Sequence, residues 1–302
     1  MKQRVSSISR PKRKLEPADI SWGRFKLALS KRTHIMGILN RTPDSFSDGG
    51  MYAREGAAVR HVMEMASAGA DIIDIGGEST RPGSEGVSVD EELNRTIPII
   101  SKTASKLGIP ISIDTSKSEV AEQAIAAGAS IVNDVTGLRG DPKMAEVVSR
   151  TGVPVVVMHI RGTPRTMQID PGYDSLLEEV LRDLEGSIEK ARQAGVNENK
   201  IIVDPGIGFG KTAGHNLQII NNLGFFKTLK RPILIGVSRK SFIANTLKGH
   251  FIKDDDIEST GRLIGTITSC AICILKGANI LRVHDVKEAV QAARIADAIV
   301  KA

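Results

Sequence analysis

Ile111-Ser-Ile-Asp-Thr-Ser-Lys-Ser-Glu-Val-Ala-Glu-Gln-Ala-Ile-Ala-Ala-Gly-Ala-Ser-Ile-Val-Asn-Asp134 holds one complete repeat of the chain's pattern. A short apolar run, Ile111–Asp114, ends on a carboxylate. The segment Ser116–Gly128 opens with Ser, places Glu119 three residues on and stops at Gly, which marks a helix with a capping box. A second apolar run, Ile131–Asp134, follows. Runs that are apolar throughout predict parallel strands covered on both faces.

The same unit recurs from residue 33 onward. Further strand runs are His34–Asn40, Ile72–Gly76, Val155–His159, Ile201–Asp204, Ile233–Ser238 and Ile280–His284. Helical stretches fall at Arg54–Gly69, Asp90–Leu107, Pro142–Gly152, Asp174–Gly195, Asn216–Leu229, Ser259–Gly277 and Asp285–Lys301. Pro98 should kink or divide the second of these, and Pro142 suits a first helical position. Eight strands, each followed by a helix, predict an α/β protein with a single (β/α)8 TIM barrel. An open doubly wound sheet is the rival, but no Pro/Ser-rich hinge interrupts residues 33–302. Residues 22–30 alternate as a short N-terminal hairpin strand that closes the barrel's N-terminal end. Residues 1–20 show no folding pattern, so the expected division is a basic, flexible tail over 1–20 and one barrel domain over 21–302.

Charge agrees with that division. Residues 1–32 carry ten Lys/Arg against Glu16 and Asp19, whereas the other 270 residues carry 31 against 33. The net charge of +6 therefore belongs to the leading segment, and a tail explains it better than a nucleic-acid arm. Aromatic content of 3% argues against a base-stacking platform. No apolar run approaches the ~20 residues of a membrane span, and no signal-peptide core opens the chain. A cytoplasmic protein is expected. Cys270 and Cys273 have C-x-x-C spacing, but they sit in an apolar stretch without a second ligand pair, as buried thiols of a reducing compartment would.

A barrel gathers its strand C-termini at one mouth, where such folds keep their sites. Two loops there are unusually polar and Gly-rich, Asn40–Gly50 and Gly76–Gly83, and read as lids. Asp204-Pro-Gly-Ile-Gly-Phe-Gly-Lys-Thr212 imitates the end of a P-loop, but position 205 is Pro where that motif needs Gly, and the dinucleotide spacing is absent too. Asp114 and Asp204 end their strands with Asn133 and Lys240 expected nearby. Paired acids suit proton transfer, or acceptance of hydrogen bonds from a heterocycle edge, or an ion pair with Lys240. Arg282 and His284 share one face of the last strand and, with Asn40 across the seam, suit a phosphate cradle. Asn40 and phosphate oxygens suit Mg2+.

The motifs are together specific. Met36-Gly-Ile-Leu-Asn-Arg-Thr-Pro-Asp-Ser-Phe-Ser-Asp-Gly-Gly50 and Asp74-Ile-Gly-Gly-Glu-Ser-Thr-Arg-Pro-Gly83 resemble the two signatures of the dihydropteroate synthase family. Ile113-Asp-Thr115, Asn133-Asp-Val135, Met158-His159, Arg161-Gly-Thr-Pro164, Asp204 to Lys211, Ser238-Arg-Lys-Ser241 and Arg282-Val-His-Asp285 follow in family order across residues 22–300. The resemblance implies a transferase that joins 4-aminobenzoate to dihydropterin-CH2-diphosphate, forming 7,8-dihydropteroate and releasing diphosphate. It also implies Mg2+ as cofactor, competition by sulfonamides and a homodimer. It assigns pterin binding to Asp114, Asn133, Asp204 and Lys240, with Met158 among the substrate contacts. It assigns diphosphate and Mg2+ contacts to Asn40, Arg282 and His284. The aminobenzoate pocket would draw on Thr80, Arg81, Pro82, Phe46, Phe209, Lys240 and Ser241. Position 41 is Arg where the family usually has a small apolar residue such as Val. A methyltetrahydrofolate-dependent methyltransferase would share the strand-end Asp/Asn pattern but needs neither the Ser-Thr-Arg-Pro lid nor the Arg-Val-His cradle. A non-catalytic pterin-binding protein would be expected to have lost one of Asn40, Arg81, Lys240, Arg282 or His284.

Overall fold

An apolar parallel strand needs a partner on each edge and a helix over its outer face. Eight strands meet that need here: β3 (His34–Asn40), β4 (Ile72–Gly76), β5 (Ile111–Asp114), β6 (Ile131–Asp134), β7 (Val155–Met158), β8 (Ile201–Asp204), β9 (Leu234–Ile235) and β10 (Ile280–Val283). A computed structural model describes residues 18–41, 51–81, 83–248 and 256–302. The strands pair in the order β8-β7-β6-β5-β4-β3-β10-β9, all parallel. A parallel bridge between Val203 and Ile233 joins the two ends, and the Val203 N–H donates to the Pro232 carbonyl at 2.9 Å. The barrel is thereby closed, and the open-sheet alternative falls.

The outer helices are α1 (Met51–Ser67), α2 (Val89–Ala104), α3 (Ser118–Ala126), α4 (Met144–Thr151), α5 (Leu176–Gln193), α6 (Ala213–Asn221), α7 (Ser241–Leu247), α8 (Arg262–Lys276) and α9 (Val286–Lys301). Outward strand residues such as Ile73, Ile113, Val157 and Leu281 pack against them in one continuous core. Inward residues build a second, smaller core at the N-terminal floor. There Met36, Ile72, Ile131, Val156, Ile202, Leu234 and Ile280 meet Ile20, Trp22, Leu27 and Leu29 of the hairpin β1 (Ile20–Trp22)–β2 (Phe25–Leu27). The hairpin closes the floor as expected, but it starts earlier than the sequence suggested. Ile20, assigned to the patternless tail, is buried because it plugs the barrel bottom. The rest of that tail, residues 1–17, lies outside the described residues.

Several local expectations need correction. Ser116 and Glu119 do not cap α3; the N-cap is Lys117, without a side-chain cap, and the Ser118 N–H donates instead to Asp141 Oδ2 at 2.8 Å. A carboxylate from the next loop thus replaces a local one. Pro98 does not divide α2. Asn94, whose carbonyl loses its Pro98 donor, is exposed to water, while Thr96, Ile99, Ile100 and Thr103 keep the inner face packed. Pro142 precedes α4, which starts at Met144. The stretch 216–229 is α6 followed by a 3-10 turn, Leu223–Leu229. The strand expected over Ile233–Ser238 shrinks to Leu234–Ile235, with an isolated bridge at Ile233 and a turn at Ser238 and Arg239. Cys270 and Cys273 are free and buried on α8, and burial pushes the Cys270 thiol up to about 12.

Candidate active site

Strand register brings the mouth together. Asn40 lies beside Gly76, Gly76 beside Asp114, Asp114 beside Asn133, and Met158 beside Asp204. Side chains alternate along a strand, so Asp74, Asp114, Asn133, Asp204 and Arg282 all enter the interior one step above the apolar floor. They touch across it. The Arg282 Nε donates to Asp74 Oδ2 at 2.6 Å, and its Nη2 donates to Asp114 Oδ2 at 2.6 Å. Asn133 Nδ2 donates to the same Asp74 oxygen at 3.1 Å. Asp114 therefore pairs with Arg282 rather than with Lys240, whose charge acts on Asp204. Burial opposes charge on Arg282, but the Asp74 and Asp114 carboxylates outweigh it and hold the guanidinium ionised.

Burial raises both strand-end acids. Asp114 is pushed up to about 7, with Arg282 pulling it back and Asp74 adding repulsion. Asp204 is raised too, against the pull of Lys240 and a 2.7 Å hydrogen bond from the Gly206 N–H. Asp114 Oδ1 is buried with no hydrogen-bond partner among the described residues. Lys240 is the N-cap of α7, and its ammonium donates to the Ile207 carbonyl and stands 4.5 Å from the centre of the Phe209 ring. Burial lowers its pKa to about 8, with Asp204 opposing. Arg239, just before it, holds φ at +57° while its guanidinium pairs with Asp285.

His284 sits at the rim beyond β10. Its N–H donates to Ser238 Oγ at 3.2 Å, and its Nδ1 lies 3.0 Å from the same oxygen. The hydroxyl accepts the first bond and keeps its own proton available for Nδ1; in that arrangement of the neutral ring Nε2 carries the proton and is the donor. Burial, with Arg282 and Arg239 adding repulsion, lowers the imidazole to about 4, so it is neutral. Arg81, on the second loop, adds a smaller repulsion.

Met158 and Phe209 join Val135, Ile160 and Met167 in an apolar wall built from three loops. Thr80, within the loop after β4, is half-buried, and Ser241, the first residue of α7, is exposed. The second loop is tied to the loop after β7 by the Gly83 N–H, which donates to the Pro164 carbonyl at 3.2 Å. Pro82 and Phe46, with lid residues 42–50, lie outside the described residues. Arg41 is half-buried, and its N–H donates to the Gly76 carbonyl at 2.8 Å, extending the β3–β4 ladder.

Reading the sequence missed Asp74, which anchors Arg282. The signal was present: an Asp inside an all-apolar strand, in phase with Gly76 and Ile72. It also missed Ser238 as the group that orients His284, and the wall residues Val135, Ile160 and Met167, which look like ordinary core.

Comparison with known proteins bears on this site directly. A family model described as "Pterin binding enzyme" matches residues 36–284. The dihydropteroate synthase of Bacillus subtilis is 47% identical over 273 residues, 90% of each chain. A Yersinia pestis dihydropteroate synthase solved with a sulfonamide drug superposes with a TM-score of 0.84 at 41% identity, covering 93% of this chain and 98% of that one. A Xanthomonas albilineans dihydropteroate synthase in complex with 7,8-dihydropteroate gives a TM-score of 0.79 at 39% identity, covering 91% and 95%.

Proposed function

The chain belongs to the pterin-binding enzyme family, among its dihydropteroate synthases, and from that premise we propose how its residues carry the reaction. It condenses 4-aminobenzoate with (7,8-dihydropterin-6-yl)methyl diphosphate, releasing diphosphate and forming 7,8-dihydropteroate in folate biosynthesis. It is accordingly a transferase and a sulfonamide target. The observation that carries the residue assignment is the convergence of buried acceptors, Asp114, Asn133 and Asp204, with the cations Arg282 and Lys240 on one rim.

A pterin presents N–H and NH2 donors along one edge, and ionised carboxylates only accept. Asp114 Oδ1 and Asp204 receive that edge, with Asn133 between the strands. Both carboxylates then favour positive charge on the ring as the CH2–O bond breaks. Negative charge grows on the departing diphosphate, where the Arg282 guanidinium and the Nε2–H of His284 stabilise it. No strong base is needed, because the aniline nitrogen of 4-aminobenzoate already carries a lone pair. The Asp residues are therefore binders rather than a proton-transfer pair. Phe209, Lys240, Ser241, Thr80 and Arg81 frame the aminobenzoate side, the family resemblance adds Pro82 and Phe46 to that role, and Met158 lines the wall behind it. Exclusion of water by the loops keeps it from capturing the cationic carbon.

Asn40 Oδ1 fits Mg2+. It is a neutral oxygen on the diphosphate side of the rim, 3.7 Å from where a Cβ on Gly76 would stand, and Mg2+ takes few protein ligands besides phosphate oxygens. Bound there, the ion would draw charge from the leaving group. A homodimer is supported by one exposed apolar face, Ile264, Ile272 and Leu275 on α8 with Ile295, Ile299 and Val300 on α9. Among the described residues no helix is long and apolar enough to cross a membrane. The unpaired thiols support a cytoplasmic setting.

The test is diphosphate release from the pterin diphosphate with and without 4-aminobenzoate. Release that depends on the amine, matched by 7,8-dihydropteroate formed, is expected. Release indifferent to the amine, or none, refutes the assignment.

A further inference from the structure

The loop after β8 is secured from beneath by a lysine that plays no part in the chemistry above. Lys211 is buried at 2% exposure. Its Nζ donates to the Phe209 carbonyl at 2.9 Å and lies 2.8 Å from His159 Nδ1. On the far side of that imidazole, Nε2 lies 3.3 Å from Asp183 Oδ2 on α5. One proton arrangement satisfies all of these contacts. Nε2–H donates to Asp183, so Nδ1 is free to accept from Lys211. Burial, reinforced by Lys211, lowers His159 to about 4, so the imidazole stays neutral and this tautomer persists. Burial also lowers Lys211 well below the usual lysine range, with Asp204 opposing.

The segment that Lys211 holds is also tied by the Gly208 N–H, which donates to Asn216 Oδ1 at 2.7 Å, and by the Tyr173 hydroxyl, which donates to the Gly210 carbonyl at 2.8 Å, but Lys211 is the buried cation that reaches the Phe209 carbonyl. Gly206, Gly208 and Gly210 alternate along it, each at positive φ. A Cβ on Gly206 would stand 1.8 Å from the His159 carbonyl, so the loop is pressed onto the end of β7. Between these glycines lie the two groups that place Lys240, the Ile207 carbonyl that its ammonium donates to and the Phe209 ring it faces. Gln168 adds a 2.9 Å bond to the Gly208 carbonyl from the exposed side. From Asp183 to Lys240 there is thus a continuous path through His159, Lys211 and the backbone of residues 207–209.

We infer that Lys211, oriented by His159 and Asp183, is a positioning residue that pins the Gly-rich loop and thereby sets Lys240 and Phe209 against the substrates. The inference rests on the role proposed for Lys240. Lys211 touches no substrate atom in this scheme and acts through the loop alone.

Steady-state kinetics on Lys211→Met, His159→Asn and His159→Leu, each with a thermal midpoint, separate a pin from a filler. The Asn Oδ1 stands where Nδ1 stood and still accepts from Lys211, whereas Leu fills comparable space and accepts nothing. Lys211→Met and His159→Leu are expected to lower kcat/KM for 4-aminobenzoate by about 10- to 100-fold, the scale of a 1 Å misplacement near reacting groups. His159→Asn is expected to stay close to wild type. Equal activity of the Asn and Leu variants, wild-type kinetics in Lys211→Met, or losses that simply follow the fall in thermal midpoint would overturn the inference. Failure of the unmutated protein to form 7,8-dihydropteroate would instead overturn the functional assignment.

Discussion

Two layers of the same barrel, one step apart on the same strands, behave as opposites. At the floor, Ile72, Ile131, Ile202 and Ile280 close on the hairpin as a dry apolar plug. Two residues further along the same four strands stand Asp74, Asn133, Asp204 and Arg282. The backbone, the pairing and the inward direction are shared; only the side chains differ. The floor is stabilised by removing apolar surface from water, and none of its clustered residues is ionisable. The mouth holds ionic groups in a space that penalises charge, so burial raises Asp114 and Asp204, and the buried carboxylates must be matched by a cation or a ligand donor. The contrast separates residues that keep the barrel closed from residues that make it react.

The strongest way to break that contrast is at Arg282, which serves both ends. Arg282→Ala should lower kcat by about 10²–10³, the scale of one lost stabilising donor. It should also cost roughly 3–5 kcal/mol of stability, because Asp74 and Asp114 are left buried without their cation. Turnover and denaturant unfolding together check it. Collapsed pterin affinity with turnover intact at saturation would remove Arg282 from the leaving-group side. One layer down, Ile202→Ala should cost about 2–5 kcal/mol while kcat of the folded fraction is unchanged. A fall in kcat there would mean that the layers are not separable.

The smallest effect is the pH profile, about tenfold per unit beyond each limb. Asp114 must be ionised to accept the pterin edge, and its raised value near 7 means that kcat/KM for the pterin should fall as pH drops below about 7. Lys240, lowered to about 8, should lose its charge above that pH, so the profile falls again on the alkaline side. Asp114→Asn should abolish the acid limb. An acid limb that survives in that variant assigns it to another group, with Asp204 the neighbour to test next.

Much of this was legible before any coordinates. Seven of the eight strands begin and end within a residue of their apolar runs, because a strand buried on both faces leaves an unbroken apolar signature. The exception is β9, where the run Ile233–Ser238 reads as a strand but the ladder covers only Leu234–Ile235, and Ser238 lies beyond it and hydrogen-bonds His284. Helix caps were less legible. Asp141 caps α3 from another loop, and no local pattern announces a cap that arrives from 23 residues away. Strand-end positions were legible, and the register brings Asn40, Asp114, Asn133 and Asp204 to one mouth, but the side-chain partners were not legible. Arg282 was expected in a cradle for phosphate, and its first contacts are two carboxylates 208 and 168 residues distant in the chain.

Sequence alone determined the order of strands and helices, the polar strand ends and the family, because periodicity and motif spacing are properties of neighbours along the chain. The tertiary structure alone decided closure through Val203 and Ile233, the burial of Ile20, the Asp74–Arg282–Asp114 triad and the Lys211–His159–Asp183 path. Each of these depends on which residues are brought within about 3 Å in a low-dielectric interior, where pairing and desolvation set the charge of a group, and chain order carries no record of that distance.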